Sequence, residues 1–367
     1  MRLGIEARPL RGARTGIGNW TWNLLGELPG LIPDLEVFLY LPEGFSCNPP
    51  PPLTNPITRR NRPLPGMSGH FWVKWRLRNL VLQDELDVFW APRTLYPSGL
   101  AAKVPVVTTI HDLNAILFPE TMKIANLIAH KLWFRSDLLN ATKIVSNSEG
   151  TARRMKNLIG RDADAIVRPG VNRAFYMEKG AGVDMIRQRY GLRRPYLICV
   201  GTLEPRKNLD QLLLAHRDAN FGLAEPLELL LVGQRGWRNR SLMRQLDAGV
   251  ANVRELGFVP DDDLPGLYVG AEALVMPSLY EGYGMPAAEA RACGARVVVS
   301  NIPELHEAAG PDAIYVEPNA GAIAEGIRLA LQSPTPTNRP AQTWHDSAVI
   351  LAAVLRAAAR ERFRPSR

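Results

Sequence analysis

The sequence predicts an α/β chain of two parallel-sheet domains, and three observations carry the prediction. Short, almost wholly apolar runs alternate with amphipathic stretches along all 367 residues. Such runs are strands buried on both faces, and the stretches between them are the crossovers that parallel pairing requires. The length exceeds that of one ordinary domain, at roughly 100–200 residues each. A composition of 46% hydrophobic and 22% charged residues belongs to a globular chain, neither disordered nor fibrous.

Strands are expected at Leu3–Ala7, Val37–Leu41, Val88–Ala91, Val106–Ile110, Lys143–Asn147 and Ala165–Val167 in the first half. In the second half they are expected at Leu197–Gly201, Leu229–Val232, Val253–Phe258, Ala273–Met276, Arg296–Ser300 and Ile314–Val316. Helical spacing marks Thr151–Ile159, Leu209–Ala215, Met285–Cys293 and Ile323–Leu331. The glycines at 170, 180 and 182 interrupt the pattern before a fresh strand opens at Tyr196. The expected division is therefore 1–172, a linker over 173–194, and 195–340. A final helical segment, 341–367, is expected to pack back across the molecule.

Apolar stretches run under ten residues, against the roughly 20 that span a bilayer, and Met1–Ile5 reads as a strand, not a leader. Cys47, Cys199 and Cys293 are an odd number and scattered without a CxxC pair, which argues against a disulfide framework or zinc site and suits a reducing cytoplasm. Residues 1–175 carry 22 Lys+Arg against 14 Asp+Glu, whereas 176–367 carry 22 of each, so the net charge of +8 lies wholly in the first half. That asymmetry points to a polyanionic partner, nucleic acid or an anionic membrane surface. Within it, Arg59–Leu82 has six basic residues, no acid, and Phe71, Trp72 and Trp75. Such a stripe reads either as a surface-docking element or as a helix burying Trp72, Trp75 and Leu82 with its charges solvated.

Ligands of open α/β sheets bind beyond the carboxyl ends of the strands, and four segments there could do chemistry. Arg14-Thr15-Gly16-Ile17-Gly18 opens a helix after the first strand, where Gly16 and Gly18 allow close approach to an anion. Thr108-Thr109-Ile110-His111-Asp112 ends a strand, with Asp112 placed to orient His111. Gly201-Thr202-Leu203-Glu204-Pro205-Arg206-Lys207-Asn208 sets two cations before a helix, a diphosphate site by charge and dipole. Tyr280-Glu281-Gly282-Tyr283-Gly284-Met285-Pro286-Ala287-Ala288-Glu289 is the most specific. Pro286 suits a first helical turn, Glu289 is placed in that turn, and the carboxylates of Glu281 and Glu289 could each grip a vicinal diol. The run Asp261-Asp262-Asp263 reads as an N-cap in preference to a metal site.

Glu281 through Ala290 resembles the Glu-x7-Glu signature of the retaining, nucleotide-sugar-dependent glycosyltransferases of family 4. The likeness extends over essentially the whole chain, in the family's order: the Gly16/Gly18 loop, His111-Asp112, Val145–Ser148, Pro169–Asn172, Gly201–Asn208 and Leu256–Val259. The resemblance implies a GT-B fold, two Rossmann-like domains facing across a deep cleft. It implies Glu281 on the donor-sugar hydroxyls, Glu289 on the ribose, and the backbone of Tyr283, Gly284 and Met285 on sugar or phosphate. Lys207, with Arg206, would neutralise the leaving diphosphate, near Gly201 and Thr202. The main chain at Phe258 and Val259 would meet the base. From the other domain, Gly16 and Gly18 would lie near phosphate and acceptor, and His111 near the reacting sugar. Thr202 stands where many members carry Arg, so Arg206 would supply that charge.

The implied reaction is front-face transfer with retention, needing neither metal nor cofactor. The flavour of Gly4–Leu10 and Thr15–Gly18 is similar to bacterial mannosyl- or rhamnosyltransferases of surface-polysaccharide and lipopolysaccharide assembly. That implies GDP-mannose as donor, a lipid-linked or oligosaccharide acceptor, and a cytoplasmic protein, peripheral on the inner leaflet. Other readings are a UDP-, ADP- or dTDP-sugar donor, a GT-B epimerase or phosphorylase, or a polyanion-binding protein. No nucleic-acid motif supports the last.

Overall fold

The computed structural model describes residues 1–12, 16–64, 67–122, 124–176, 182–236, 239–337, 339 and 342–361. Contacts divide the chain into unit 1, Met1–Gly170 with Gln342–Arg367, and unit 2, Val171–Ala341.

Unit 1 is built on seven parallel strands: β1 (Arg2–Glu6), β2 (Glu36–Pro42), β3 (Ile57–Asn61), β4 (Val88–Ala91), β5 (Val106–Ile110), β6 (Lys143–Ser146) and β7 (Ala165–Ile166). Their order is β3-β2-β1-β4-β5-β6-β7. The sequence reading missed β3, whose run Ile-Thr-Arg-Arg-Asn holds one large apolar side chain. As an edge strand it pairs on one side only, with β2, and does not need two buried faces. The Gly16–Leu31 helix follows β1. The Trp344–Glu361 helix packs on it and on β4 to β7, burying Trp344, Ala348, Leu351, Ala352, Leu355 and Ala358 at helical spacing. Gly170 receives this helix: a Cβ there would stand 2.2 Å from the Trp344 amide nitrogen.

Unit 2 holds six parallel strands: β8 (Tyr196–Val200), β9 (Glu228–Val232), β10 (Val253–Gly257), β11 (Ala273–Met276), β12 (Val297–Ser300) and β13 (Ile314–Val316). Their order is β10-β9-β8-β11-β12-β13. Tyr196, Ile198, Leu274 and Met276 enter the core on one sheet face, and Leu197, Cys199, Ala273 and Val275 the core on the other. This two-sided burial is what the apolar runs demanded. The stretch 173–194, read as a linker, instead contributes Phe175, Ile186 and Leu192 to the first of these cores. Of its glycines, Gly180 lies outside the described residues, and Gly182 precedes the Val183–Arg189 helix within unit 2. All three cysteines are free.

The basic aromatic segment divides between the two readings of it. Trp72 and Val73 are buried, but Trp75 is 57% exposed and Leu82 lies at the surface. Lys74 is not solvated. Within the π-helical stretch Trp72–Arg76 it points inward, and its Nζ donates to Asp137 Oδ1 and Oδ2 at 2.6 and 2.8 Å.

Candidate functional site

The sheet of unit 2 reverses its strand order between β8 and β11, the place where open α/β sheets bind ligands. Two loops leave the sheet there. The first leaves β8 through Gly201 at φ +140°, where a Cβ would meet the Lys207 side chain at 3.1 Å, and turns at Pro205–Lys207. Asn208, left-handed at φ 58°, then opens the Leu209–Asn220 helix, and its Nδ2 donates to the Pro277 and Pro318 carbonyls at 3.1 and 2.8 Å. The second loop leaves β11 and enters the Met285–Ala292 helix through Gly284. Gly284 has φ +104°, and a Cβ would stand 2.5 Å from Leu305 Cδ2.

The loops are stitched by the Leu279 amide donating to the Arg206 carbonyl at 2.9 Å and by Arg206 Nη1 donating to the Tyr280 carbonyl at 2.6 Å. Between them lies a buried ion cluster. Lys207 Nζ donates to Glu281 Oε1 at 2.7 Å, Arg206 Nη1 lies 2.7 Å from Glu281 Oε2, and Arg206 Nη2 donates to Glu204 Oε1 at 2.6 Å. Burial alone would push the Glu281 carboxyl up, but the charges of Arg206 and Lys207 bring it down to about 2. The cluster holds two cations and two carboxylates, so its charge closes. Glu204 was missed as a site residue. Its signal was the spacing Glu-Pro-Arg, which a 3₁₀ turn folds back on itself.

Glu289 takes a different partner: the Tyr268 hydroxyl donates to its Oε2 at 3.1 Å. It is the fifth residue of its helix, beyond the first turn expected for it, so a bond to the helix N-terminus does not explain it. Burial pushes its carboxyl up to about 7, with the Tyr268 hydroxyl opposing. Among the described residues, the amides of Gly284 and Met285 head the helix with no hydrogen bond of their own. Phe258, 62% exposed, and buried Val259 follow β10, and Thr202 is exposed. Asp263 stands at the N-cap position foreseen for it but makes no capping bond. Its carboxylate is taken by the Tyr190 hydroxyl at 2.7 Å and by Arg189. Among the described residues, no three His, Cys, Asp or Glu side chains form a metal-holding group.

In unit 1, Gly16 and Gly18 form the start of the Gly16–Leu31 helix, while Arg14 and Thr15 of the same motif lie outside the described residues. His111 follows β5 and stands edge-on to Trp20, with ring centroids 4.8 Å apart. Its Nε2 bonds the Pro92 carbonyl at 2.7 Å and must donate, because a carbonyl only accepts. Asp112 therefore does not fix the ring as expected. Its Oδ1 accepts from the Asn114 amide at 3.0 Å. Burial pushes the His111 pKa down to about 4 against that carbonyl bond and the Asp112 charge, so the ring is neutral with Nδ1 an acceptor.

Residues 14–175 match the family described as Glycosyltransferase Family 4, and 184–344 the family described as Glycosyl transferases group 1. The chain is 33% identical over 350 residues to the O-antigen chain mannosyltransferase B of Escherichia coli, covering 90% of this chain and 91% of that one. Among solved structures it is similar to WaaG, a glycosyltransferase involved in lipopolysaccharide biosynthesis (TM-score 0.69, 16% identity, 98% of each chain). It is also similar to a sucrose-phosphate synthase of Thermosynechococcus elongatus (TM-score 0.68, 17% identity, 99% of this chain and 95% of that one). Two doubly wound parallel sheets, a buried Lys207–Glu281–Arg206 cluster at one switch point, and this similarity place the chain in glycosyltransferase family 4, with the GT-B fold and close to the O-antigen mannosyltransferases.

Proposed function

We propose that the chain transfers mannose from GDP-mannose, with retention and without metal, to a lipid-linked or oligosaccharide acceptor of a bacterial surface polysaccharide. The observation that carries this reading is the ion cluster of Glu281 with Lys207 and Arg206, in a chain 33% identical to an O-antigen mannosyltransferase. A donor diphosphate would take over Lys207 and Arg206, releasing Glu281 to accept from the sugar hydroxyls. Glu204 would keep Arg206 in place, supplying the charge that Thr202 lacks. Glu289 would meet the ribose, Phe258 and Val259 the base, and the amides of Tyr283, Gly284 and Met285 the sugar or phosphate. Gly16, Gly18 and neutral His111 would serve the acceptor side. Charge developing on the leaving group is stabilised by fixed cations, and the departing diphosphate accepts the acceptor's proton.

A thermal-shift panel of GDP, UDP, ADP and dTDP with their sugars tests the donor. GDP and GDP-mannose should raise the melting temperature most, since a ligand of the folded state stabilises it by the logarithm of its occupancy. A larger rise with UDP or dTDP sugars would contradict the guanine assignment.

No helix among the described residues is long and apolar enough to cross a membrane. An anionic inner-leaflet surface is part of this proposal. Trp75, Ile124, Ile128 and Leu132 are exposed, the Trp75 and Trp133 rings are 6.3 Å apart, and Arg60, Arg62, Arg76, Lys131 and Arg135 are exposed on the same unit. Each cation near such a surface contributes about 1 kcal/mol. The protein should pellet with phosphatidylglycerol vesicles at low salt, and Trp75→Ser should leave a several-fold smaller bound fraction. Equal pelleting by both proteins would remove Trp75 from the surface.

A further inference from the structure

Unit 1 has a switch point of its own, between β1 and β4, and an arginine follows each of these strands: Arg8 after β1, Arg93 after β4. A single carboxylate pairs with the first of them. Glu6 is wholly buried, and its Oε1 accepts from Arg8 Nε at 2.6 Å and from the Arg8 amide at 3.1 Å. Gly69 makes room for this pair: a Cβ there would stand 2.6 Å from Arg8 Nη1. Arg93 Nε, by contrast, is buried without a hydrogen bond, and among the described residues no carboxylate pairs with its guanidinium. Burial lowers its pKa, Glu6 opposes, and Arg8 and Arg11 push it further down. An arginine still stays charged, so the group Glu6, Arg8 and Arg93 sets one carboxylate against two cations, an arrangement that costs stability unless an anion completes it.

Other polar atoms are also unmatched among the described residues: Glu6 Oε2, His70 Nδ1 and His130 Nδ1 are buried with no partner, as is Trp20 Nε1 of the ring that stands edge-on to His111. The Asn126 Oδ1 bonded to His70 Nε2 at 2.9 Å accepts, which leaves His70 Nδ1 as an acceptor. Burial lowers the pKa of both histidines, that of His130 to about 4, so both are neutral at physiological pH. The charge of Arg93 acts on His70, His130 and His111 alike. Its backbone neighbour Pro92 supplies the carbonyl that holds His111. Donors (Arg93, Trp20) and acceptors (Glu6, His70) together suit an oxyanion carried next to hydroxyl groups.

We infer that Arg93 is the binding cation of a phosphoryl-anion subsite in unit 1, filled by a phosphate attached to the acceptor sugar. Which substrate supplies the phosphate rests on the proposed function; the existence of the subsite does not. The test is calorimetric titration of full-length wild type, R93M, R93K and K207M with inorganic pyrophosphate and, separately, with GDP. Wild type should bind pyrophosphate at two sites, of which R93M loses one and K207M the other, and R93K should bind at the first about tenfold more weakly. R93M should bind GDP within threefold of wild type, and without ligand it should melt no lower, because a buried unpaired charge has been removed. Unchanged pyrophosphate binding in R93M, or a lower melting temperature for R93M without ligand, would overturn the subsite. A tenfold loss of GDP affinity in R93M would overturn the acceptor assignment and give the anion to the donor. If GDP fails to bind wild type, the donor reading fails while the pyrophosphate comparison stays readable. R93K keeps the charge and reads the same site independently: pyrophosphate binding in R93K equal to wild type would likewise overturn it.

Discussion

Glu281→Gln should lower the transfer rate about 100- to 1000-fold, the usual loss when one fixed electrostatic contact to a reacting group is removed. The same change should destabilise unit 2. Arg206 and Lys207 would be left as buried cations with only Glu204 between them, and breaking such a set costs about 3–5 kcal/mol. The pH dependence has a definite sign. The folded carboxyl titrates near 2 against an ordinary 4.5, so its stabilising effect is complete above about 4.5 and is lost as pH falls toward 2. A depression of that size corresponds to about 3 kcal/mol, which the glutamine variant never has. Free GDP should bind the variant at least as well as wild type, because its phosphates find both cations already released. Steady-state turnover, calorimetry and urea unfolding between pH 3 and 8 read these three effects. Turnover within threefold of wild type would remove Glu281 from the site.

Asp137→Ala should destabilise unit 1 by about 3–5 kcal/mol, because it strands Lys74, 1% exposed, as an unpaired buried charge. The Asp137 carboxylate also accepts from the Tyr96 amide at 3.3 Å. Burial pushes it up to about 6 and lowers Lys74, which says that desolvation outweighs the attraction between the two. The double variant Lys74→Met/Asp137→Leu should therefore regain most of the loss or exceed wild type. Urea unfolding followed by Trp fluorescence separates the cases. A single variant within 1 kcal/mol of wild type would show that water reaches Lys74.

The strands were legible because a parallel sheet demands apolar residues on both faces, and Tyr196–Val200 or Val297–Ser300 announce this directly. β3 was not legible, since an edge strand with four polar residues in five obeys no such demand. At the site, Lys207 and Glu281 were each visible as residues that follow a strand. Their pairing was not, because it joins positions 74 apart through the order in which β8 and β11 meet. Lys74 was hidden for a related reason. A helical stripe predicts which residues face inward only while the helix keeps its 3.6-residue turn, and the π-helical stretch Trp72–Arg76 breaks that count. His111 was located correctly at its strand end, but Asp112 was a false partner, since neighbours on a chain leaving a strand point apart.

The last helix, Trp344–Glu361, belongs to the first unit. On a ribosome, all of unit 2 emerges before this helix does. Until then the Gly16–Leu31 helix and the β4–β7 surface lack the cover that Trp344, Leu351 and Leu355 provide. The unit translated first is thus the one completed last, and its nascent form stays greasy and open to chaperones throughout synthesis.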